Sequence, residues 1–387
     1  MTATVKTTEQ LAPSTDVIGE SRRKLLVATD NFLPRHDGIS RFLKEILPTL
    51  SELYDVTVVC PDYGEYDMQG INIVRLPLTK HVVGDYPVPA FAFKQVRELV
   101  QEHDLVFTQG LGPIGYAAIR AARGKKRIVL FMHSIDWELV PKAVTNPVLK
   151  AFLPGFVKWW VRKQYKKCDL VLCPSEGVAE LLAWNRIDAE HRIVHLGTNI
   201  NEFVPAKDRR EAKIALGIEP DKFVVGYHGR IAHEKDLKTL GRAFVRLKNS
   251  KLLIVGDGVP AIKESLKRRD VMLVGAQNNV VPYLQAMDVY VMPSLTETTC
   301  LSVLEAMSCG LPVIATPVGY VRDYITSGEN GVLVPKQDSY AIARELIALQ
   351  SDSVHRLRMG LDARRSIESR FTWDKTRARI KEIFDGL

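Results

Sequence analysis

"DVYVMPSLTETTCLSVLEAMSCGLPVIAT", Asp288–Thr316, reads as a strand, a loop, a short helix and a second strand. The first strand, Asp288–Met292, is apolar after one residue, and the loop Pro293–Thr299 follows it. Gly310 and Pro312 end the helix, because glycine tolerates the left-handed position after a helix and proline cannot continue one. This order of elements predicts two parallel strands joined by a right-handed crossover.

The same alternation runs along most of the 387 residues. Amphipathic stretches such as Ile39–Leu53 and Phe91–Glu102 separate short runs that are rich in Val, Ile and Leu. Such runs are typical of strands buried on both faces of a parallel sheet. The predicted strands are Lys24–Thr29, Asp55–Cys60, Ile71–Leu76, Asp104–Thr108, Arg127–Met132, Asp169–Cys173, Arg192–His195, Phe223–His228, Lys251–Val255, Val271–Val274, Asp288–Met292, Pro312–Thr316 and Gly331–Val334.

The chain is too long for one typical core, which favours two domains. The strands form two series, and the polar segment Asn201–Asp221 separates them. We therefore predict two doubly wound α/β domains, over 22–203 and 204–371. Ligands of open α/β sheets bind beyond the carboxyl ends of the strands, so two facing domains would enclose a cleft.

Composition sets the broad class of the protein. Hydrophobic residues make up 46% and charged residues 25%, and the net charge is +8 with a pI near 9.1. This basic excess suits an anionic ligand or a membrane surface, and it is too diffuse to predict nucleic-acid binding. Residues 1–21 are polar and are predicted to form a flexible tail instead of a signal peptide. The five cysteines have no CxxC spacing, which predicts a reducing, cytoplasmic location.

The start of the short helix is predicted to bind an anion. Thr298 or Thr299 can cap it, and the free N–H groups around 299–302 would then face the cleft. Glu297 precedes this helix, within reach of whatever its start binds. Glu305 lies near the packing face, and a buried carboxylate without partners costs several kcal/mol. Ribose hydroxyls or a basic side chain would supply the donors that Glu305 requires.

A basic cluster accompanies these acids in "GYHGRIAHEKDLKTL", Gly226–Leu240, which reads as a strand, a glycine turn and a helix. Gly229 allows close backbone approach, and Arg230 and Lys235 can converge on the cleft. Two such cations and a helix start match the charge of a diphosphate without a metal. The alternative is that both side chains are ordinary surface charges.

Together these motifs resemble retaining glycosyltransferases of the GT-B fold, family 4. The resemblance rests on GRxxxEK at 229–235 and on the E-x7-E pair Glu297 and Glu305, followed by "EAMSCGLPVIATPVG". It extends to the first loop, "FLPRHDGISR", and to the chain end, "RFTWDKTRARIKEIF". It implies two facing Rossmann-like domains, with the C-terminal helix 372–387 completing the N-terminal acceptor domain and 204–371 binding a nucleotide sugar.

The resemblance also implies roles for individual residues. Arg230 and Lys235 would bind the donor's diphosphate, and Glu305 the ribose hydroxyls. The transferred sugar would be held by Glu297 and by the backbone N–H groups after it, at Thr298, Thr299, Cys300 and Leu301. His133 would contact the sugar from the opposite domain, and Gly38 would let the first loop approach the diphosphate, as Gly229 does from its own side. The residues expected to act in catalysis are Glu297, His133, Arg230 and Lys235, and no metal or other cofactor is expected.

The expected reaction moves a sugar from a nucleotide sugar, a UDP-linked hexose in the first instance, to an acceptor hydroxyl with retention. Three departures from the family pattern leave the sugar open. Thr298-Thr299-Cys300 stands where Gly-Phe-Gly is usual, Gly38-Ile39 where two glycines are usual, and Tyr320 where a glycine is frequent. A sugar-nucleotide epimerase or phosphorylase of the same fold, and a non-catalytic nucleotide-sugar-binding module, are the alternatives.

"GLGPIG" at Gly110–Gly115 matches the GxGxxG pattern of dinucleotide-binding proteins. That pattern should follow the first strand of the fold and carry an acid about 20 residues later. Here it follows a later strand, and Asp136 lies beyond the next one. We therefore expect a tight turn that faces the cleft and no NAD binding.

The segment Leu139–Cys168 has seven Lys or Arg and no acidic residue. Within it, Leu149, Phe152, Leu153, Phe156, Val157 and Trp160 follow helical spacing, although Pro154 and Gly155 interrupt the pattern. Tryptophan beside a basic face suits an anionic lipid surface. We expect peripheral membrane binding and a lipid acceptor through Phe152, Phe156, Trp159, Trp160 and Arg162. A core-packing helix and a soluble carbohydrate acceptor are the alternatives.

Overall fold

The structure, a computed structural model, describes residues 22–35, 37–83, 86–89, 92–139, 147–297 and 299–387. The expected flexible tail, 1–21, lies outside these residues. A seven-stranded parallel sheet has the order β3-β2-β1-β6-β7-β8-β9, and β4 and β5 form an antiparallel hairpin. These strands are β1 (Lys24–Ala28), β2 (Asp55–Pro61), β3 (Ile71–Leu76), β4 (Leu78–Val83), β5 (Tyr86–Pro89), β6 (Leu105–Thr108), β7 (Arg127–Phe131), β8 (Leu170–Cys173) and β9 (His191–Ile193).

A second parallel sheet, of six strands, has the order β12-β11-β10-β13-β14-β15. Its strands are β10 (Phe223–His228), β11 (Ser250–Val255), β12 (Val271–Gly275), β13 (Val289–Met292), β14 (Val313–Ala315) and β15 (Gly331–Leu333). The two sheets confirm the predicted fold class of two Rossmann-like doubly wound domains. Each predicted strand is present within two residues at either end.

Helices cover these sheets, because the strands are apolar on both faces and require cover on each. They are α1 (Gly38–Leu53), α2 (Phe93–Glu102), α3 (Pro113–Ala122), α4 (Asp136–Leu139), α5 (Pro147–Tyr165), α6 (Glu176–Trp184), α7 (Arg209–Ala215), α8 (Leu237–Phe244), α9 (Pro260–Leu266), α10 (Val281–Ala286), α11 (Leu301–Ser308), α12 (Val321–Tyr324), α13 (Ser339–Ser351), α14 (Ser353–Arg370) and α15 (Trp373–Asp385).

Each sheet reverses its strand order at one place, between β1 and β6 in the first and between β10 and β13 in the second. The loops that leave these strands meet at the carboxyl edge of each sheet. Such a switch point opens a crevice between neighbouring loops, and ligands of doubly wound folds bind there. The loops after β10 and β13 carry the GRxxxEK and E-x7-E motifs.

The last helix packs on the first domain. Trp373, Ile380 and Phe384 of α15 are buried in the same hydrophobic cluster as Phe107 of β6. The Tyr54 hydroxyl donates to the Phe384 carbonyl at 2.6 Å, and the Phe107 and Phe384 rings lie 4.9 Å apart. The chain therefore returns to the N-terminal sheet after the second domain. The limits 22–203, 204–371 and 372–387 stay predictions as domain boundaries.

Candidate active site

The loop after β10 is held close to the loop after β11. The Gly229 N–H donates to the Val255 carbonyl at 2.9 Å, and the Ile231 N–H donates to the Asp257 carbonyl at 2.8 Å. A Cβ on Gly256 would lie 2.0 Å from the Gly229 carbonyl oxygen, so glycine is required for this approach. Gly229 itself has a φ of +136°, a conformation that favours glycine. The loops after β10 and β13 are called the donor loops below. The first of them is therefore fixed by its own backbone hydrogen bonds and close packing.

Arg230 and Lys235 extend from this loop, and each is paired with a carboxylate. Arg230 Nη2 lies 2.7 Å from Glu234 Oε1, and its side chain is 55% exposed. Lys235 ends a single 3-10 turn, His233–Lys235, and its Nζ lies 2.5 Å from Glu297 Oε1. Burial, the largest single influence, lowers the pKa of Lys235, but the charge and hydrogen bond of Glu297, together with the other nearby groups, outweigh burial and raise that pKa. Lys235 is therefore a firmly protonated cation.

Glu297 joins the two donor loops of the second sheet. Its Oε1 accepts hydrogen bonds from Lys235 and, at 2.6 Å, from the hydroxyl of Ser294. Both of these bonds reach the same oxygen, and the side chain is 8% exposed. The structure thus brings together Lys235 and Glu297, which lie 62 residues apart in the sequence. Neither of these two donors contacts the other oxygen, Oε2, which can therefore accept a hydrogen bond from a ligand hydroxyl.

The start of α11 differs in detail from the expected one. Its N-cap residue is Cys300, with a φ of 48°, so the expected cap by Thr298 or Thr299 is wrong where it can be tested. The chain turns through a left-handed conformation at Cys300, and the helix begins one residue later. Thr298 lies outside the described residues. Burial raises the pKa of Cys300 to about 12, so this thiol is not a nucleophile.

The two described side chains of this departure, Thr299 and Cys300, are buried. They are 7% and 8% exposed, and Leu301 packs against hydrophobic clusters of both domains. The backbone at the start of α11 therefore stays available to a ligand, even though these positions carry side chains. The departure from Gly-Phe-Gly changes the packing beneath the loop.

Three buried tyrosines, which the sequence analysis did not identify, hold the backbone of the donor loops. The Tyr227 hydroxyl donates to the Arg230 carbonyl at 2.8 Å, and the Tyr290 hydroxyl to the His228 carbonyl at 3.0 Å. Tyr324 donates to the Thr299 carbonyl at 2.9 Å. Each bond satisfies a carbonyl that the strand or helix leaves unpaired, and so fixes the loop. The only sequence signal is a tyrosine within or near an apolar run.

Glu305 is buried within α11 and has two partners. His228 Nε2 lies 2.6 Å from Oε2, and the Arg41 guanidinium contacts Oε1. Burial alone would raise the pKa of Glu305, but the charge of Arg41 and the bond to His228 outweigh burial and lower it. Glu305 is thus an ionised carboxylate. The sequence predicts that Glu305 is met by ribose hydroxyls or by a basic side chain, and Arg41, from α1 of the other domain, is such a side chain.

His133 follows β7 on the wall formed by the first domain. Its Nε2 lies 2.9 Å from Gln109 Oε1, and its ring stacks on Phe131 with centroids 4.4 Å apart. Burial lowers the pKa of His133 to about 3, so the ring is neutral at physiological pH. A neutral ring that donates from Nε2 presents Nδ1 as an acceptor. His133 can therefore take part in hydrogen bonding but not as a cation.

Gly38 is the first residue of α1, which Asp37 caps by accepting from Ile39 N and Ser40 N at 2.9 Å each. Among the described residues, nothing lies within 4 Å of a Cβ built on Gly38. The protein itself therefore does not require glycine here. The open space beside the Gly38 backbone would allow a diphosphate to approach it, as the resemblance implies.

The GLGPIG segment begins α3, and a carboxylate of the protein already occupies the helix start. Asp30 accepts from Ile114 N at 2.9 Å and from Gly115 N at 3.3 Å. A Cβ on Gly112 would lie 2.1 Å from Asp30 Oδ2, and one on Gly115 would lie 2.3 Å from the Gly110 carbonyl oxygen. These glycines therefore serve packing, and the first turn of α3 is closed to a phosphate.

Helix α5 runs through Pro154 and Gly155 without a break, although these residues interrupt its apolar pattern. Its buried face follows Val157, Val161 and Tyr165, of which Val157 belongs to the spacing noted in the sequence. Exposure of the aromatic side chains at successive turns is 77% for Phe152, 60% for Phe156 and 55% for Trp159.

Other parts of α5 are less open. Trp160 packs on Tyr116, with ring centroids 5.4 Å apart, and Arg162 is half-buried. Lys163 Nζ lies 5.3 Å from the centre of the Trp159 ring. The exposed aromatic stripe is therefore Phe152, Phe156 and Trp159, flanked by a cation. None of the helices in the described ranges is both long and apolar enough to span a membrane.

Two further features bear on cofactors and redox chemistry. The five cysteines are all buried and unpaired. Within the ranges that the structure describes, no group of three or more His, Cys, Asp or Glu side chains could hold a metal ion. The charged groups described at the cleft include the cations Arg41, Arg230 and Lys235 and the carboxylates Glu234, Glu297 and Glu305.

Comparison with known proteins accounts for both domains. A model described as Glycosyltransferase Family 4 matches residues 36–202, and one described as Glycosyl transferases group 1 matches residues 222–352. The chain is 27% identical over 366 residues to the GDP-mannose-dependent alpha-mannosyltransferase of Mycolicibacterium smegmatis, covering 90% of this chain and 94% of that protein.

Two other relatives carry lipids in their names. A GDP-mannose-dependent alpha-(1-6)-phosphatidylinositol monomannoside mannosyltransferase of M. smegmatis is 28% identical, over 94% of this chain and 98% of that protein. The alpha-monoglucosyldiacylglycerol synthase of Streptococcus pneumoniae is 26% identical, over 85% of this chain and 79% of that protein.

Solved structures share the fold. Sucrose-phosphate synthase from Thermosynechococcus elongatus superposes with a TM-score of 0.77 at 20% identity, covering 94% of this chain and 99% of that chain. The Anabaena protein HepE in complex with UDP gives a TM-score of 0.75 at 18% identity, covering 94% of this chain and all of that chain. At these identities the likeness concerns the fold alone.

Proposed function

The chain belongs to the group 1 glycosyltransferases of the GT-B fold, and on that premise we propose that it is a retaining hexosyltransferase. In this proposal it takes a hexose from a nucleoside diphosphate sugar and attaches it to a hydroxyl of a lipid or lipid-linked acceptor, forming an α-glycoside. The words "alpha-mannosyltransferase" and "alpha-monoglucosyldiacylglycerol" in the names of its relatives support the stereochemistry.

The observation that carries the proposal is the pairing of Lys235 with Glu297 where two donor loops meet, at the switch point of the second sheet. A diphosphate would draw on Lys235, on Arg230 and on the first N–H groups of α11. A sugar hydroxyl would donate to Glu297. The cations and N–H groups suit the diphosphate end of a nucleotide sugar, and Glu297 suits its sugar end. No single structural role would require all of these groups together.

The chemical step follows from that arrangement. The bond between the sugar's anomeric carbon and the phosphate oxygen breaks, and a bond to the acceptor oxygen forms on the same face. The acceptor's proton passes to the leaving diphosphate. The protein holds the acceptor oxygen and the leaving group on the same face of the sugar and stabilises charge on the leaving group. Neutral His133, whose Nε2 donates to Gln109, accepts a hydrogen bond from a sugar hydroxyl at Nδ1 and carries no charge in this step.

The donor is tested first, because the sequence and the relatives favour different nucleotides. The sequence motifs led us to expect a UDP-linked hexose, whereas the names of two relatives specify GDP-mannose. Purified protein is mixed separately with GDP-mannose, UDP-glucose, UDP-galactose and UDP-N-acetylglucosamine, and the thermal midpoint is measured. Donors that raise it are then assayed for slow hydrolysis and transfer. Failure of every nucleotide sugar to bind would contradict the proposal.

The acceptor proposal rests on the exposed stripe of α5. Phe152, Phe156 and Trp159 form an aromatic patch beside Lys163, the composition that binds anionic lipid surfaces. We expect flotation with vesicles containing phosphatidylglycerol at low salt and weaker flotation with pure phosphatidylcholine. Replacing all three aromatic residues with Ser should abolish flotation without lowering the affinity for the nucleotide sugar.

Trp184 offers a matched control. It is 87% exposed on α6, outside the stripe, so Trp184→Ser should float like the wild type. If the wild type does not bind anionic vesicles at low salt, the proposal of a lipid acceptor is wrong. Product analysis with soluble saccharides then tests the carbohydrate alternative.

A further inference from the structure

Three side chains meet at the deepest acid of the cleft. Glu305 lies in α11 of the second domain, His228 ends β10 beneath it, and Arg41 reaches it from α1 of the first domain. Arg41 also lies over the Phe203 ring, 5.8 Å from its centre, in the segment that links the domains. The contact of Arg41 with Glu305 joins residues 264 positions apart, so it exists only when the two domains face each other.

Charge explains why Glu305 needs a cation in addition to any sugar. Its side chain is 6% exposed, and a buried carboxylate that meets only neutral hydroxyls would stay uncompensated. Ribose brings hydroxyls and no charge. Arg41 therefore has a role beside the ligand as well as in its absence, since its guanidinium supplies the opposite charge.

Hydrogen-bonding capacity allows all partners at once. A carboxylate has about four lone-pair positions, two on each oxygen. Arg41 takes one on Oε1 and His228 takes one on Oε2. One position on each oxygen is left by these two donors, and two neighbouring hydroxyls of a ribose can fill them.

We propose that Arg41 and His228 are positioning residues of the nucleotide site, which hold the Glu305 carboxylate ionised and oriented for the two hydroxyls of a ribose. The proposal rests on the proposed function and deepens it. Because Arg41 belongs to the other domain, ribose binding is tied to the arrangement in which α1 faces α11. The orientation of the nucleotide then depends on both halves of the molecule.

The surroundings of Glu305 define what a pH profile can report. Among the described residues, the charged or titratable groups facing it are Arg41 from α1, His228 from β10 and Cys309 from its own helix. Burial raises the pKa of Cys309 to about 12, so that thiol stays neutral. Without Arg41, burial is opposed by His228 alone, and the pKa of Glu305 rises. A protonated Glu305 has lost part of its acceptor capacity, so nucleotide binding weakens as the pH falls.

The experiment measures dissociation constants for GDP and UDP by calorimetry between pH 5 and 8, for the full chain and its variants. Arg41→Met should weaken binding of the preferred nucleotide by roughly tenfold to a hundredfold, the effect of a lost bond to a charged group. The ratio of its constant to that of the wild type should grow as the pH falls. Dividing by the wild-type constant removes the titration of the nucleotide.

Two controls separate positioning from folding. Arg41→Lys restores the positive charge. Its ratio of dissociation constants should return toward one and should vary less with pH than that of Arg41→Met. Arg377→Met removes a cation of α15 that pairs with Glu45 of α1 at 2.7 Å, and should leave the ratio at one throughout. Thermal midpoints of all variants show whether they fold.

The outcomes are distinct. A ratio for Arg41→Met that does not vary with pH overturns the inference, and so does tighter binding, which would mean that Arg41 only covers Glu305 until a nucleotide displaces it. If the wild type binds neither GDP nor UDP nor their sugar conjugates, the proposed function itself fails, and this inference fails with it.

Discussion

Two helices begin at equivalent places in the two domains, yet their first turns have different partners. α3 follows β6 and α11 follows β13, each at the point where its sheet reverses strand order. At α3 the carboxylate of Asp30 accepts from the first N–H groups. At α11 the N-cap residue, Cys300, supplies no such side-chain bond. One helix start is closed by the protein, and the other is available to a ligand.

A single position accounts for the contrast. Asp30 stands two residues after the end of β1, and Arg230 stands two residues after the end of β10. The central strand of each sheet therefore delivers opposite charges to equivalent sites. An acid at this position accepts hydrogen bonds from the first N–H groups of the helix. A cation at this position adds to the positive charge at the helix start and favours the binding of an anion. The fold offers two helix starts at equivalent places, and side-chain charge leaves only one of them open to an anionic ligand.

The largest expected effect is on turnover at the open site. Lys235→Ala and Glu297→Gln should each lower kcat/KM by about a hundredfold to a thousandfold, the usual loss when one preorganised partner of transition-state charge is removed. Initial rates with the preferred donor measure this. Lys381→Ala, which removes a cation paired with Glu52 at 2.7 Å on the surface, is the matched control. Near-normal rates in both site variants would refute the assignment of the open helix start.

The next effect concerns the closed site. Gly112→Ala should lower stability by about 1–3 kcal/mol, because the added methyl group would overlap the carboxylate of Asp30. Chemical denaturation of the variant measures the loss. Gly155→Ala is the control, since nothing described lies within 4 Å of its Cβ. An equal change in the two variants would show that Asp30 does not fill the start of α3.

The charge of Asp30 should appear in the pH dependence of stability. Burial raises its pKa to about 6, so its contribution is present below the unfolded value of 3.8 and is lost as the pH rises through about 6. Asp30→Asn lacks this loss, and its stability relative to wild type should improve by about 1–2 kcal/mol from pH 4 to pH 7. Thermal midpoints across this range test the trend. A constant difference between the two proteins would count against a buried, charged cap.

The smallest expected effect is at the tyrosine that supports the open site. Tyr324→Phe removes the hydrogen bond to the Thr299 carbonyl and should cost about 1 kcal/mol of stability. Since that bond fixes the loop before α11, the variant should also bind the donor several-fold more weakly. Tyr340→Phe, at a phenol that is 72% exposed, is the control. A loss of stability with unchanged donor affinity would separate the tyrosine from the site.

The sequence predicts most of the sheet order because buried parallel strands are nearly continuous apolar runs. The hairpin of β4 and β5 was missed because Pro87 and Pro89 argue against a strand and no apolar run marks it. On α5 the sequence pattern does not separate the two faces, since apolar and aromatic residues fit the helical spacing of both the buried and the exposed stripe.

At the site, motifs identify Lys235, Glu297 and Glu305, because local strand, turn and helix signals place each at the cleft. They do not identify Arg41 as the partner of Glu305 or Asp30 as the cap of α3. The first contact spans 264 residues and the second 84, and each depends on how separate units pack. Tertiary packing decides such partners, and local pattern carries no trace of it.

The return of α15 to the first domain has a consequence for synthesis. Trp373, Ile380 and Phe384 follow both sheets in the sequence, yet they fill the core around strands of the first sheet. The first sheet is therefore translated before the helix that covers part of its apolar face. We expect a chain truncated before Thr372 to expose that face.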